Sequence, residues 1–152
     1  MLAALEGTLD QLPREWLTRA NLTWTNYIGS TPLHNAAMNG HLDQVPRAHL
    51  HWGNLGVKDD IGATFVHTAA ARGHLDQVPR ELLLDEVAMG LTNDFGDTPV
   101  TLAAKQGCLE QIPWELFRNL RFRNMVRRVG KELPADAQRK LAAEQKSGPS
   151  DP

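Results

Sequence analysis

The chain has 152 residues, 41% hydrophobic and 22% charged, the size and make-up of one ordinary folded domain rather than a disordered or two-lobed protein. Its net charge of −2 hides a division: residues 1–117 hold seven Lys/Arg against fourteen Asp/Glu, while residues 118–152 hold nine against four. No window approaches the roughly 18 apolar residues of a membrane span, and the acidic Met1–Asp10 start is no signal peptide. The expected compartment is therefore the cytoplasm, and the single cysteine, Cys108, excludes an internal disulfide and a paired-cysteine metal site.

One segment keeps returning along the chain. TLDQLPR at Thr8 comes back as HLDQVPR at 41–47, HLDQVPR at 74–80 and CLEQIPW at 108–114, with starts 33, 33 and 34 residues apart. Ahead of each runs a second matching stretch: LAALEG, GSTPLHNAAMNG, GATFVHTAAARG and GDTPVTLAAKQG. A fixed period of this size marks an array of like units. Asn26–Gly29, Asp59–Gly62 and Asn93–Gly96 are turn-formers that suit hairpin tips. Thr31 suits a helix N-cap with Pro32 at the first helical position, where a missing N–H costs nothing. Ala36 and Ala37 are small enough for neighbouring helices to approach closely. Gly40, Gly73 and Gly107 suit the left-handed residue that ends a helix. Each unit reads tip, helix, turn, helix, and none buries its apolar face alone, so the units are expected to stack.

Thr31-Pro32-Leu33-His34, with Ala36, Ala37, Gly40, His41 and Leu42 at this period, resembles the ankyrin repeat over roughly residues 1–120. The resemblance implies an all-α helix-turn-helix solenoid with short β-hairpin tips, and histidines, here His34 and His67, that brace adjacent units. The expected domain is 1–146. It comprises an N-terminal half-repeat cap (1–22), repeats at 23–55, 56–89 and 90–120, and a degenerate basic C-terminal cap (121–146), with a disordered tail at 147–152. Counting 34 from Gly96 places Gly130 as the next tip glycine. Starting inside a helix, the first unit serves as a cap, or the chain is one piece of a larger scaffold.

Three departures stand out. Phe65 replaces the proline of the TPLH segment, and Thr101 stands where His34 and His67 stand, so the fourth junction should be held differently. Pro13, Pro46, Pro79 and Pro113 fall where the family runs an uninterrupted second helix. Four interior prolines at about 3 kcal/mol each are untenable in so small a protein. The second helix is therefore expected to split into a short turn, as at Leu75–Val78, and a fresh helix with proline at its first position.

No catalytic constellation is present: no GxSxG, HExxH, phosphate-cradling loop or paired carboxylate block. The chain reads as no enzyme, with no cofactor and no metal. His34/His41 and His67/His74 are separated by glycines and hold framework positions. His49 fills a slot taken elsewhere by Trp16, Leu82 and Leu116; it reads as a core histidine, with a pH-sensitive element as the alternative. His51 completes no ligand set. Cys108 reads as a surface thiol.

What remains is surface. Stacked tips would align Ile28, Ile61 and Phe95 as an apolar row, and exposed apolar area marks interaction sites; the alternative is that these side chains brace neighbouring tips. Tyr27, Ser30, Ala63 and Asp97, with Asn35, Met38, Asn39, Thr68, Arg72, Lys105 and Gln106 on the first helices, would complete a concave face for a protein partner of a monomeric chain. The competing site is basic: Arg118, Arg121, Arg123, Arg127, Arg128 and Lys131 lie within fourteen residues without an acid. An apolar stripe of 117, 120, 125/126 and 129 would leave these arginines outward, for nucleic acid, an anionic membrane or an acidic partner, or on a plain solvated cap. Steep salt dependence would distinguish phosphate contacts from an apolar row.

Overall fold

The computed structural model describes residues 1–51 and 57–147. The expected boundary at 55/56 and nearly all of the expected tail, 148–152, lie outside them. The described α-helices are α1 (Leu2–Glu6), α2 (Arg19–Thr23), α3 (Pro32–Asn39), α4 (Phe65–Arg72), α5 (Arg80–Leu83), α6 (Glu86–Gly90), α7 (Pro99–Gln106), α8 (Leu120–Arg128) and α9 (Ala135–Lys146). The first helices stack in order: α1 on α3, α3 on α4, α4 on α7, α7 on α8.

Local chemistry sets the bounds of these helices. Thr31, Thr64 and Thr98 each cap the N-terminus, accepting the backbone N–H three residues on, and the third residue returns the favour. At the other end Gly40, Gly73 and Gly107 adopt φ of 78°, 77° and 80°, and close the last turn. Between them Ala36–Ala37, Ala69–Ala70 and Ala103–Ala104 are buried at the helix-helix seams. A larger side chain there costs about 1–3 kcal/mol in displaced backbone. Phe65, in the slot of a proline, is buried at the head of α4.

The split at the prolines takes a different form from the one expected. Leu9–Gln11, Leu42–Gln44, Leu75–Gln77 and Leu109–Gln111 are single 3-10 turns. Each proline then sits at the N-cap, not at the first helical position, with φ near −55° and an extended ψ of 132–139°. The extended residue lets the chain turn a corner that a straight helix does not. A short helix comes after the corner, 3-10 at Arg14–Trp16, Arg47–His49 and the longer Trp114–Arg118, and α-helical only at Arg80–Leu83.

Those turns carry a ladder that ties each unit to the one before. Gln77 Nε2 donates to the Gly40 carbonyl (2.8 Å) and its Oε1 accepts from the Leu42 N–H (3.1 Å). Gln44 does the same to Gly7 and Leu9, and Gln111 to Gly73 and Leu75. Each amide satisfies one orphan donor and one orphan acceptor at a chain reversal.

Among the described residues there is no strand. Each tip is a turn closed by its own first side chain: Asn26 Oδ1 accepts from Ile28 and Ser30, Asp59 Oδ1 from Ile61 and Ala63, and Asn93 Oδ1 from Phe95 and Asp97. The side chain thus takes N–H groups that a hairpin ladder would need. Successive tips are linked by one bond each, Asp60 N–H to the Ile28 carbonyl (3.1 Å) and Asp94 N–H to the Ile61 carbonyl (2.9 Å). Stacking is tight enough that a Cβ at Gly62 would lie 2.6 Å from Asp94 Oδ1.

The last unit departs from the expected register. Gly130 (φ 71°) ends α8 as Gly107 ends α7, so it is a helix-stop glycine and not a tip glycine. Leu133-Pro134 then repeats the Val78-Pro79 corner, with Pro134 at φ −53° and ψ 143°, and α9 follows. The apolar stripe also shifts: Phe122 is buried and Leu120 is exposed, whereas Phe117 precedes the helix in its own 3-10 turn.

Candidate protein-interaction face

The inter-tip bonds place Ile28, Ile61 and Phe95 in a row along one edge. They remain 45%, 43% and 73% exposed, and Tyr27 beside them is 93% exposed. Phe95 and Tyr27 are thus largely open to solvent, and Ile28 and Ile61 are about half covered and half open. On the adjoining helix positions, Met38, Asn39, Arg72, Lys105 and Gln106 are exposed and Thr68 is half-buried. Ser30, Asn35 and Ala63 are buried, which removes them from the candidate contact surface. The Asn35 amide donates to the Met1 sulfur, Ser30 closes the first tip and the Ala63 carbonyl is the target of the His34 ring.

The junctions are held by the two histidines. The Thr31 N–H donates to His34 Nδ1 (3.2 Å), which leaves the proton on Nε2 to be donated to the Ala63 carbonyl of the next unit (2.8 Å). His67 joins Thr64 to the Leu91 carbonyl in the same way (3.2 and 2.8 Å). Burial pushes both imidazoles below their ordinary range, against the pull of the accepting carbonyls. Thr101 cannot span that gap. Its Oγ1 stays within its own unit, on the Thr98 carbonyl (3.0 Å) and Asp97 Oδ1 (3.1 Å).

The basic segment does not form one continuous strip. Arg118 is engaged by Glu144 and lies over the Trp114 ring, 4.8 Å from its centre. Arg123, Arg127 and Lys131 line a pocket with Glu132, Leu133 and Gln138 on one side of α8. Arg121 and Arg128 line a different space, a groove of about 650 Å³ shared with Gly96, Asp97, Thr98 and Thr101. The two surfaces set against each other in the sequence therefore meet, because α8 takes the place of a first helix in the stack. Nothing in the local sequence announces that contact.

Other candidates resolve differently. Cys108 is buried, and its thiol donates to the Ala70 carbonyl (3.6 Å) as the His74 ring does to Ala37 (2.8 Å). It is thus no surface thiol; burial also raises its pKa. His49 is half-buried rather than enclosed. Among the described residues no three His, Cys, Asp or Glu side chains converge as metal ligands, and no helix is long and apolar enough to cross a membrane.

Paired helical segments stacked through their first helices, with turns projecting from one edge, define a repeat solenoid. The ankyrin-repeat profile, in three copies, matches residues 33–116, and the chain belongs to that family. No curated protein sequence matches the chain. Ankyrin repeats are in general protein–protein interaction modules, and the family is in general non-enzymatic.

Proposed function

We propose that this protein binds a partner protein along the edge formed by the tips and the exposed first-helix positions, with no catalytic step. Repeats 23–55, 56–89 and 90–120 carry the surface, and 1–22 and 121–146 close its ends. The observation that carries the reading is the row Ile28, Ile61 and Phe95, aligned by backbone bonds yet left substantially open to solvent. Contiguous exposed apolar side chains on an otherwise polar edge mark an interaction site. A stack pre-forms that row, so little ordering cost falls on binding.

The test is affinity capture beside a variant with Ile28, Ile61 and Phe95 changed to Ser. The variant is expected to keep the helical circular dichroism of the parent and to lose the captured protein. Equal capture by a folded variant excludes the row as the site.

A further inference from the structure

At the second and third units each junction is filled twice, by a histidine inside and by the next tip outside. His34 and His67 reach the following unit. A Cβ placed on Gly29 or Gly62 would meet the following aspartate at 2.9 or 2.6 Å. After the fourth unit both fillings stop. Thr101 is too short to cross, and the chain passes from Arg118 through Asn119 directly into α8 with no tip. A Cβ on Gly96 would meet nothing within 4 Å. Among the described residues no N–H donates to the Phe95 carbonyl as Asp60 does to Ile28 and Asp94 to Ile61. The groove of about 650 Å³ lies where a fifth tip would sit.

Its charge is one-sided. Asp97 is already bound by Lys105 (2.6 Å) and Thr101. Among the described residues neither Arg128 nor Arg121 forms an ion pair; Arg121 donates to the Gly90 carbonyl (3.3 Å) and lies over the Phe122 ring, 5.7 Å from its centre. Arg121 and Arg128 therefore both line a cleft that also holds Met125 and Val129, and the carboxylate in its described lining, Asp97, is already engaged. The tips that do stack carry an aspartate, Asp60 or Asp94, against the preceding glycine. We infer that this groove takes an acidic peptide turn of the partner, which occupies the place of the missing fifth tip and sets its carboxylates on Arg121 and Arg128. Guanidinium–carboxylate bonds are the strong, charge-assisted kind. Acidic tips nearby, Asp60 and Asp94, disfavour a long polyphosphate on the same edge. The inference rests on the proposed interaction face and names what its C-terminal end recognises.

A fluorescent, end-blocked peptide EDFGDE, with QNFGNQ as its uncharged counterpart, tests this by anisotropy. The acidic peptide is expected to bind about tenfold more tightly or better than the amide one. Arg121→Gln with Arg128→Gln is expected to lose about tenfold or more, and Arg128→Gln alone, at an exposed position, part of that. Thr101→His, which rebuilds the brace into the groove, is expected to lose binding too. Arg127→Gln with Lys131→Gln removes the same charge from the other side of α8 and is expected to change affinity less than about twofold. Equal binding of both peptides, equal loss in the Arg127/Lys131 variant, or binding of phosphatidylserine vesicles or duplex DNA in preference to the peptide overturns the inference. If the tip-row variant loses the captured partner while the Arg121/Arg128 variant keeps it, the groove is wrong and the interaction face stands.

Discussion

The side-chain amide of Gln77 lies across Gly40 of the preceding unit as a second peptide group, giving its N–H to the Gly40 carbonyl and taking the Leu42 N–H. Only a primary amide fits both ends. Glu keeps the acceptor but turns the donor into a negative charge beside a carbonyl oxygen. We expect Gln77→Glu to lower unfolding free energy by about 1 kcal/mol or more, the cost of a half-buried carbonyl left without its donor. Asp76→Asn, one residue away and exposed, is expected to stay within about 0.5 kcal/mol. Urea denaturation at pH 7.5 checks both, and an unchanged Gln77→Glu midpoint would show that the ladder carries no stability.

The inter-unit histidines set a pH dependence. His34 and His67 donate from Nε2 while Nδ1 accepts, an arrangement that a doubly protonated ring destroys. Their folded values lie below the ordinary one, chiefly through burial. In acid the unfolded chain therefore binds more protons than the folded one. Their contribution is complete above the unfolded value of about 6.5 and is lost as pH falls from there through the folded values. Denaturation series between pH 7.5 and 5 are expected to show falling stability. The slope is expected to be smaller in a His34→Gln, His67→Gln variant, whose other titrating groups are unchanged. Equal slopes would sink the assignment.

Cys108 illustrates how a unit tolerates a changed residue. Its thiol replaces a histidine on the same carbonyl acceptor, in a buried site that disfavours the thiolate. A disulfide reagent is expected to modify the native protein only as fast as the junction between the third and fourth units opens, and to react promptly in 6 M urea. Fast modification of the folded chain would contradict the buried placement. Cys108→His is expected to be tolerated to within about 1 kcal/mol, since it restores the His74–Ala37 pattern.

The amino-acid sequence alone determined what depends on neighbours in the chain or on the period itself. The threonine caps, the left-handed glycines and the interruption at each proline are short-range physics. The stack follows because no unit covers its own apolar face. The constancy of Gln11, Gln44, Gln77 and Gln111 across the copies was a legible signal for the ladder, although its meaning was not. Tertiary structure alone decided whatever rests on atoms from the adjacent unit, some thirty residues distant. It buried Ser30, Asn35, Ala63 and Cys108, turned Leu120 outward and Phe122 inward, and made Gly130 end a helix. It also brought Arg121 and Arg128 beside Thr101, because exposure and proximity are set by what packs across a junction rather than by what precedes it along the chain.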